Sequence, residues 1–145
     1  MSPATAARSM RIIGVISIIT AIFFALAGVN DFTGANNIFF AIASSGTDGV
    51  AGLNTPEAKL AMAIAGGLFG GVGAFYLFVS APGVEQGNER IRKGSIYAFL
   101  TWFIIDSSAS VASGNAVNII PNLGFLFIYL LPLTVVKQPR TTASA

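Results

Sequence analysis

Asp106 closes the run Trp102-Phe103-Ile104-Ile105-Asp106 and is the only acid set in the middle of an apolar stretch. An ionised carboxylate at the centre of a membrane helix costs about 2.5–3.5 kcal/mol on insertion scales, so it needs a partner or a task. The chain then turns at Ser113-Gly114 and continues as Asn115-Ala116-Val117-Asn118-Ile119-Ile120-Pro121-Asn122. At helical spacing Asp106, Ser110 and Ser113 share one face of the first helix. Asn115, Asn118, Asn122, Phe125 and Tyr129 share a face of the next. Helices joined by a tight turn run antiparallel, so the two stripes can meet. Pro121 is expected to free a backbone carbonyl one turn earlier and add an acceptor there.

A lone carboxylate among amides and hydroxyls suits recognition of a polar head group. Phe99, Trp102, Phe103, Phe125 and Tyr129 would supply an apolar wall beside it. That combination fits an amphipathic ligand, quinone-like or lipid-like. The expected ligand-binding set is therefore Asp106, Ser110, Asn118, Asn122, Trp102, Phe103, Phe125 and Tyr129. The competing reading is structural: amide–carboxylate bonds that fix helix register, each worth about 0.6–2 kcal/mol in membranes. A third reading is a membrane-embedded enzyme using Asp106.

Few partners for such chemistry exist. The sequence has no cysteine and no histidine, which removes the usual soft and imidazole metal ligands, thiolate chemistry and the easiest general base at neutral pH. Neither a metal site nor a catalytic residue is expected, and binding is favoured over turnover. The chain carries a net charge of +2. Its basic residues lie at the ends of apolar runs and form no stripe, so nucleic acid is not an expected partner.

Hydrophobic residues make up 54% of the 145-residue chain and charged ones 10%, against about 25% in a soluble domain. Too little charge remains to coat a soluble globule. Apolar runs of spanning length occupy about residues 12–30, 57–80, 94–113 and 115–136. Residues before Arg11 read as a short tail. The rival reading of the first run is a signal peptide cleaved after Ala25-Leu26-Ala27; the retained helix is favoured. Residues 31–56 form a long connection in which 38–43 is apolar but too short to span, so an interfacial segment is expected. Thr55-Pro56-Glu57 is a helix start, and Ala81-Pro82-Gly83 a stop.

Arg8, Arg11, Arg90, Arg92, Lys93, Lys137 and Arg140 fall on one side of these runs and only Lys59 on the other. The positive-inside rule then places both termini in the cytoplasm. The expected fold is all-α: a single integral-membrane four-helix bundle over residues 1–145. Gly14 and Gly28 on the first run, with Gly66, Gly67, Gly70 and Gly71 on the second, are expected to serve close helix packing. The glycine-rich second helix also offers a route to a homo-oligomer or a larger membrane complex, with membrane lipids as the remaining partners.

Spans of this number and length, with both ends inside, and the stretch Ser-Gly-Asn-Ala-Val-Asn-Ile-Ile-Pro-Asn from Ser113 to Asn122 resemble the small four-helix bacterial membrane proteins grouped around DoxX and BphX. The resemblance is architectural and transfers no site residue. It implies a bacterial cytoplasmic (inner) membrane and, for some members, a link to quinone chemistry or aromatic-compound breakdown. An alternative role is an accessory subunit of a larger complex.

Overall fold

The computed structural model describes residues 1–30, 33–44 and 54–137. It is all-helical, 86% helix with no strand among the described residues, and holds four helices long and apolar enough to cross a membrane.

Helix α1 spans Pro3–Ala27, starting well before the expected boundary near residue 12. Ser2 caps it, its Oγ accepting from the Thr5 N–H at 3.2 Å, and Pro3 occupies the first helical position, where an N–H would go unused. The residues expected to be a tail are instead packed: Ala6, Ala7 and Met10 are fully buried in the same cluster as Val84, Leu133 and Val136. Two alanines let this turn approach its neighbours closely, and burial then fixes it as helix.

Helix α2, Ala35–Ala43, contains the apolar segment 38–43. It follows Gly34, whose φ of 67° suits a residue without a Cβ. With nine residues it does not span; it packs against α1, the turn at Ala116–Asn118 and the last helix. Phe24 of α1 meets Phe39 edge-on with centroids 5.2 Å apart, and Phe40 at 6.4 Å.

Helix α3 begins at Pro56, capped by Thr55 Oγ1, which accepts from the Ala58 N–H at 3.2 Å. The expected stop at Ala81-Pro82-Gly83 does not end it. The α-helical part Pro56–Phe75 passes through a π turn at Tyr76–Ser80 and continues as Ala81–Glu85. In the wide turn the Ala81 N–H donates to Tyr76 O, an i→i−5 bond. The helical ladder is thus already shifted one residue before Pro82, which has no N–H to donate.

A short turn through Gly87 leads to α4, Glu89–Ala112, capped by Asn88. Arg90, Arg92 and Lys93, expected in a loop, therefore lie on its first turn. After a turn at Gly114 and a 3-10 turn at Ala116–Asn118, α5 runs Ile119–Thr134.

The α1–α3 contact is where glycine matters. A Cβ on Gly66 would lie 2.5 Å from Ala25 N, one on Gly28 2.7 Å from Lys59 O, and one on Gly14 2.9 Å from Gly73 O. The small face of α1 thus meets the glycines of α3 backbone to backbone. Gly73, absent from the expected packing set, belongs to it. Gly70 sits in ordinary contact with Ala21, whereas Gly67 and Gly71 face open space.

At the end of the bundle holding the start of α1, Arg11 pairs with Glu85, and Arg92 pairs with Glu89 at 2.6 Å. Arg92 Nη1 also donates to Leu133 O at 2.7 Å, placing a cation on the carbonyl end of α5. Above this lies the core: Tyr76, Phe99 and Tyr129 form an aromatic triple, Phe99 and Tyr129 stacked with centroids 4.5 Å apart. Tyr76 Oη donates to Tyr129 O at 2.6 Å, and Ser80 and Ser95 satisfy one another at 2.8 Å.

Candidate functional site

Helices α4 and α5 position the polar cluster. From Asp106 one turn along α4 leads to Ser110, and α5 descends antiparallel beside it with Asn118 and Asn122 one turn apart. The side chains meet across the pair. Asn122 Nδ2 donates to Asp106 Oδ1 at 2.7 Å and Asn118 Nδ2 donates to the same oxygen at 3.1 Å. Ser110 Oγ adds a longer bond to it at 3.4 Å. The second hydrogens of the amides go to Ser110 Oγ at 2.9 Å, from Asn118, and to Ser107 Oγ at 3.3 Å, from Asn122.

This division of labour leaves the carboxylate asymmetric. One oxygen takes every donor the protein offers. Among the described residues the other, Oδ2, has no hydrogen-bond partner, and it is not a sealed atom: the unpartnered buried atoms belong to Asn36 alone.

Asp106, Ser110, Asn118 and Asn122 line a cleft of about 550 Å³ together with Trp102, Phe125 and Tyr129. The volume falls in the range of about 300–1,000 Å³ usual for small-molecule sites. Phe69 of α3 meets Phe125 edge-on at 5.7 Å, and Phe24 of α1 stands 6.5 Å from Phe69, so aromatic rings continue around the wall. Tyr129 closes the inner end. Ser17 Oγ gives its hydrogen to Ile13 O at 2.8 Å, so in the 2.5 Å contact with Ser17 it is Tyr129 Oη that donates.

Three expectations change. Phe103 does not line the cleft; being the residue after Trp102, it is turned about 100° around the helix, toward the side of Ser107 rather than Asp106. Asn115 reaches the rim, but its amide bonds back to Ser113 O and Oγ at 3.3 and 3.2 Å rather than to the carboxylate. Pro121 frees no acceptor: it lies in the first turn of α5, where N–H groups have no helical partner anyway, and the Val117 carbonyl accepts from Ile119.

Residue patterns did not point to α2. Phe39, Phe40, Ala43 and Ser44 line the cleft from outside the four long helices. Their only signal was an apolar segment too short to span. On the same face of α2, Asn36 is 2% exposed and both its amide atoms lack partners.

Among the described residues that line it, the cleft has one carboxylate and no basic side chain. No group of three His, Cys, Asp or Glu side chains gathers among the described residues. The cleft presents a fixed acceptor at one end and aromatic faces along the rest. Compared with known proteins, the chain matches no family model, no curated protein and no solved structure.

Proposed function

We propose that this chain is an integral membrane protein with both termini in the cytoplasm, and that its cleft binds an amphipathic small molecule in the outer half of the bilayer. Membrane residence is supported by what the four long helices leave uncovered. Their most apolar windows have mean hydropathies of 1.3–2.3 yet are only 17–28% buried. Side chains such as Ile12, Ile16, Leu60, Phe78, Ile104, Ile105 and Phe127 are more than half exposed. Water would penalise that surface and lipid would not. The basic residues support the orientation: Arg8, Arg11, Arg90, Arg92, Lys93 and Lys137 lie at one end and Lys59 at the other, with Arg140 outside the described residues. A bacterial inner membrane fits this pattern.

The observation that carries the binding role is the unpartnered Oδ2 of Asp106 at the head of an aromatic-walled cleft. A tie between the helices uses Oδ1 alone, which leaves Oδ2 available to an occupant of the cleft. A lipid or a quinone-type molecule has the right shape, with its ring or chain along Trp102, Phe125 and Phe69. The test is purification in mild detergent followed by organic extraction and mass spectrometry. One amphipathic compound held near one per chain is expected, and its removal should lower thermal stability. An empty cleft of unchanged stability, in protein prepared from several detergents, would contradict the reading.

A second reading has one observation in its favour. Gly67 and Gly71 form a bare stripe on α3 where an added Cβ would meet no described residue, which suits a partner helix in a larger complex. The two readings are compatible, because the stripe and the Asp106 cluster lie on different helices.

A further inference from the structure

Resting on the binding role above, the hydrogen-bond ledger of the cleft narrows the ligand. Each donor near Asp106 is already spent. Both Nδ2 hydrogens of Asn118 go to Asp106 Oδ1 and Ser110 Oγ. Both of Asn122 go to Asp106 Oδ1 and Ser107 Oγ. Those of Asn115 go to Ser113, the Ser44 hydroxyl donates to Phe40 O, and the Tyr129 hydroxyl to Ser17. Only the indole N–H of Trp102, one turn from Asp106, remains uncommitted among the lining side chains. What the polar end offers a ligand is therefore acceptors: Asp106 Oδ2 and the carbonyl oxygens of Asn118 and Asn122. A quinone carbonyl, itself an acceptor, finds no free donor there among the described side chains beyond that indole N–H.

Charge points the same way. The described lining residues carry one acid and no base, and none of the ion pairs among the described residues includes Asp106. The best complement of a carboxylate whose Oδ1 already accepts from neutral amides is a cation that also donates. The walls are suited to that occupant, since the faces of Trp102, Phe125 and Tyr129 carry the negative side of their quadrupoles. We propose that the cleft binds a protonated primary amine on an apolar body, its ammonium donating to Asp106 Oδ2 and to the asparagine carbonyls. Such an ammonium exists both in free lipophilic amines and in aminolipid head groups.

Trp102 is the single tryptophan, so its fluorescence reads occupancy directly. The delipidated full-length chain is titrated in phosphatidylcholine nanodiscs with phenylbutylamine, with its neutral isostere phenylbutanol and with a short-chain benzoquinone. Saturable quenching by the amine at least about tenfold tighter than by the alcohol is expected, with the quinone no tighter than the alcohol. Asp106→Asn should erase the amine's advantage over the alcohol. Equal binding of amine and alcohol, or tighter binding of the quinone, overturns the cationic head group and leaves the binding site standing. No saturable quenching by any probe overturns both. If Asp106→Asn does not fold, the amine-to-alcohol ratio in the unmodified chain still decides. Repeating the amine titration in nanodiscs rich in phosphatidylethanolamine assigns the source: a weakened apparent affinity there identifies the aminolipid as the competitor, and an unchanged one identifies a free amine.

Discussion

At the scale of single residues, the site depends on how one carboxylate distributes its two oxygens. Oδ1 binds α4 to α5 through Asn118 and Asn122, while Oδ2, on a side chain that lines the cleft, has no partner among the described residues. Structural and functional roles thus fall on different atoms of Asp106, and substitutions can separate them. Asp106→Leu removes both and strands two amides in a dry site. It should lower stability by about 1–3 kcal/mol, read from thermal or denaturant unfolding in detergent. Retained stability in that variant would mean that water, not Asp106, satisfies the amides. That Asp106, Ser110, Asn118 and Asn122 meet was readable from helical spacing plus a tight turn. The asymmetry was not, because it depends on which amide hydrogen is spent on which serine, and spacing carries no such information. Phe103 shows the same limit: it is aromatic and adjacent to Trp102, yet one residue's rotation takes it off the cleft.

At the scale of elements, apolar run length identified the four long helices, while their ends were set by contacts the sequence does not display. Pro82-Gly83 has the look of a helix stop, but a π turn before it carries α3 on to Glu85. The start of α1 looks like a tail until Ala6 and Ala7 are seen packed in the core. Helix α2 carries a burden that predicts behaviour. Its Asn36 amide is buried with neither atom bonded, a loss of about 1–3 kcal/mol that the Phe24–Phe39–Phe40 contacts must offset. Asn36→Leu should therefore stabilise the protein by an amount of that order and slow exchange of any bound probe, measured by unfolding and by stopped-flow Trp102 fluorescence. Destabilisation would show that the amide has a partner supplied by water or ligand. The glycines make a paired prediction. Gly66→Leu forces a side chain into the Ala25 backbone and should cost about 1–3 kcal/mol, whereas Gly67→Leu meets open space and should leave the isolated chain's stability unchanged. If Gly67→Leu also breaks a crosslinkable assembly in membranes, the bare stripe is an interface; if assembly survives, it faces lipid.

At the scale of the whole molecule, the outward apolar surface and the gathering of basic residues at one end together predict topology. The chain has no cysteine, so single substitutions report without background. Cysteine at Asn54, exposed before α3, should react with an impermeant maleimide added outside intact cells, and cysteine at Gln86 only after lysis. The reverse pattern would invert the bundle and move the cleft to the inner half. The binding role itself is tested most directly by Asp106→Asn. The amide keeps the shape of the carboxylate and an oxygen for Asn118 and Asn122, while giving up the charge at Oδ2. Thermal stability and occupancy of the copurifying compound are measured side by side in this variant and the unmodified chain. The account predicts stability within about 1 kcal/mol of the unmodified chain, since an amide oxygen still accepts both bonds, together with loss of the bound compound. Full occupancy at unchanged stability would contradict it and leave Asp106 a tie between two helices.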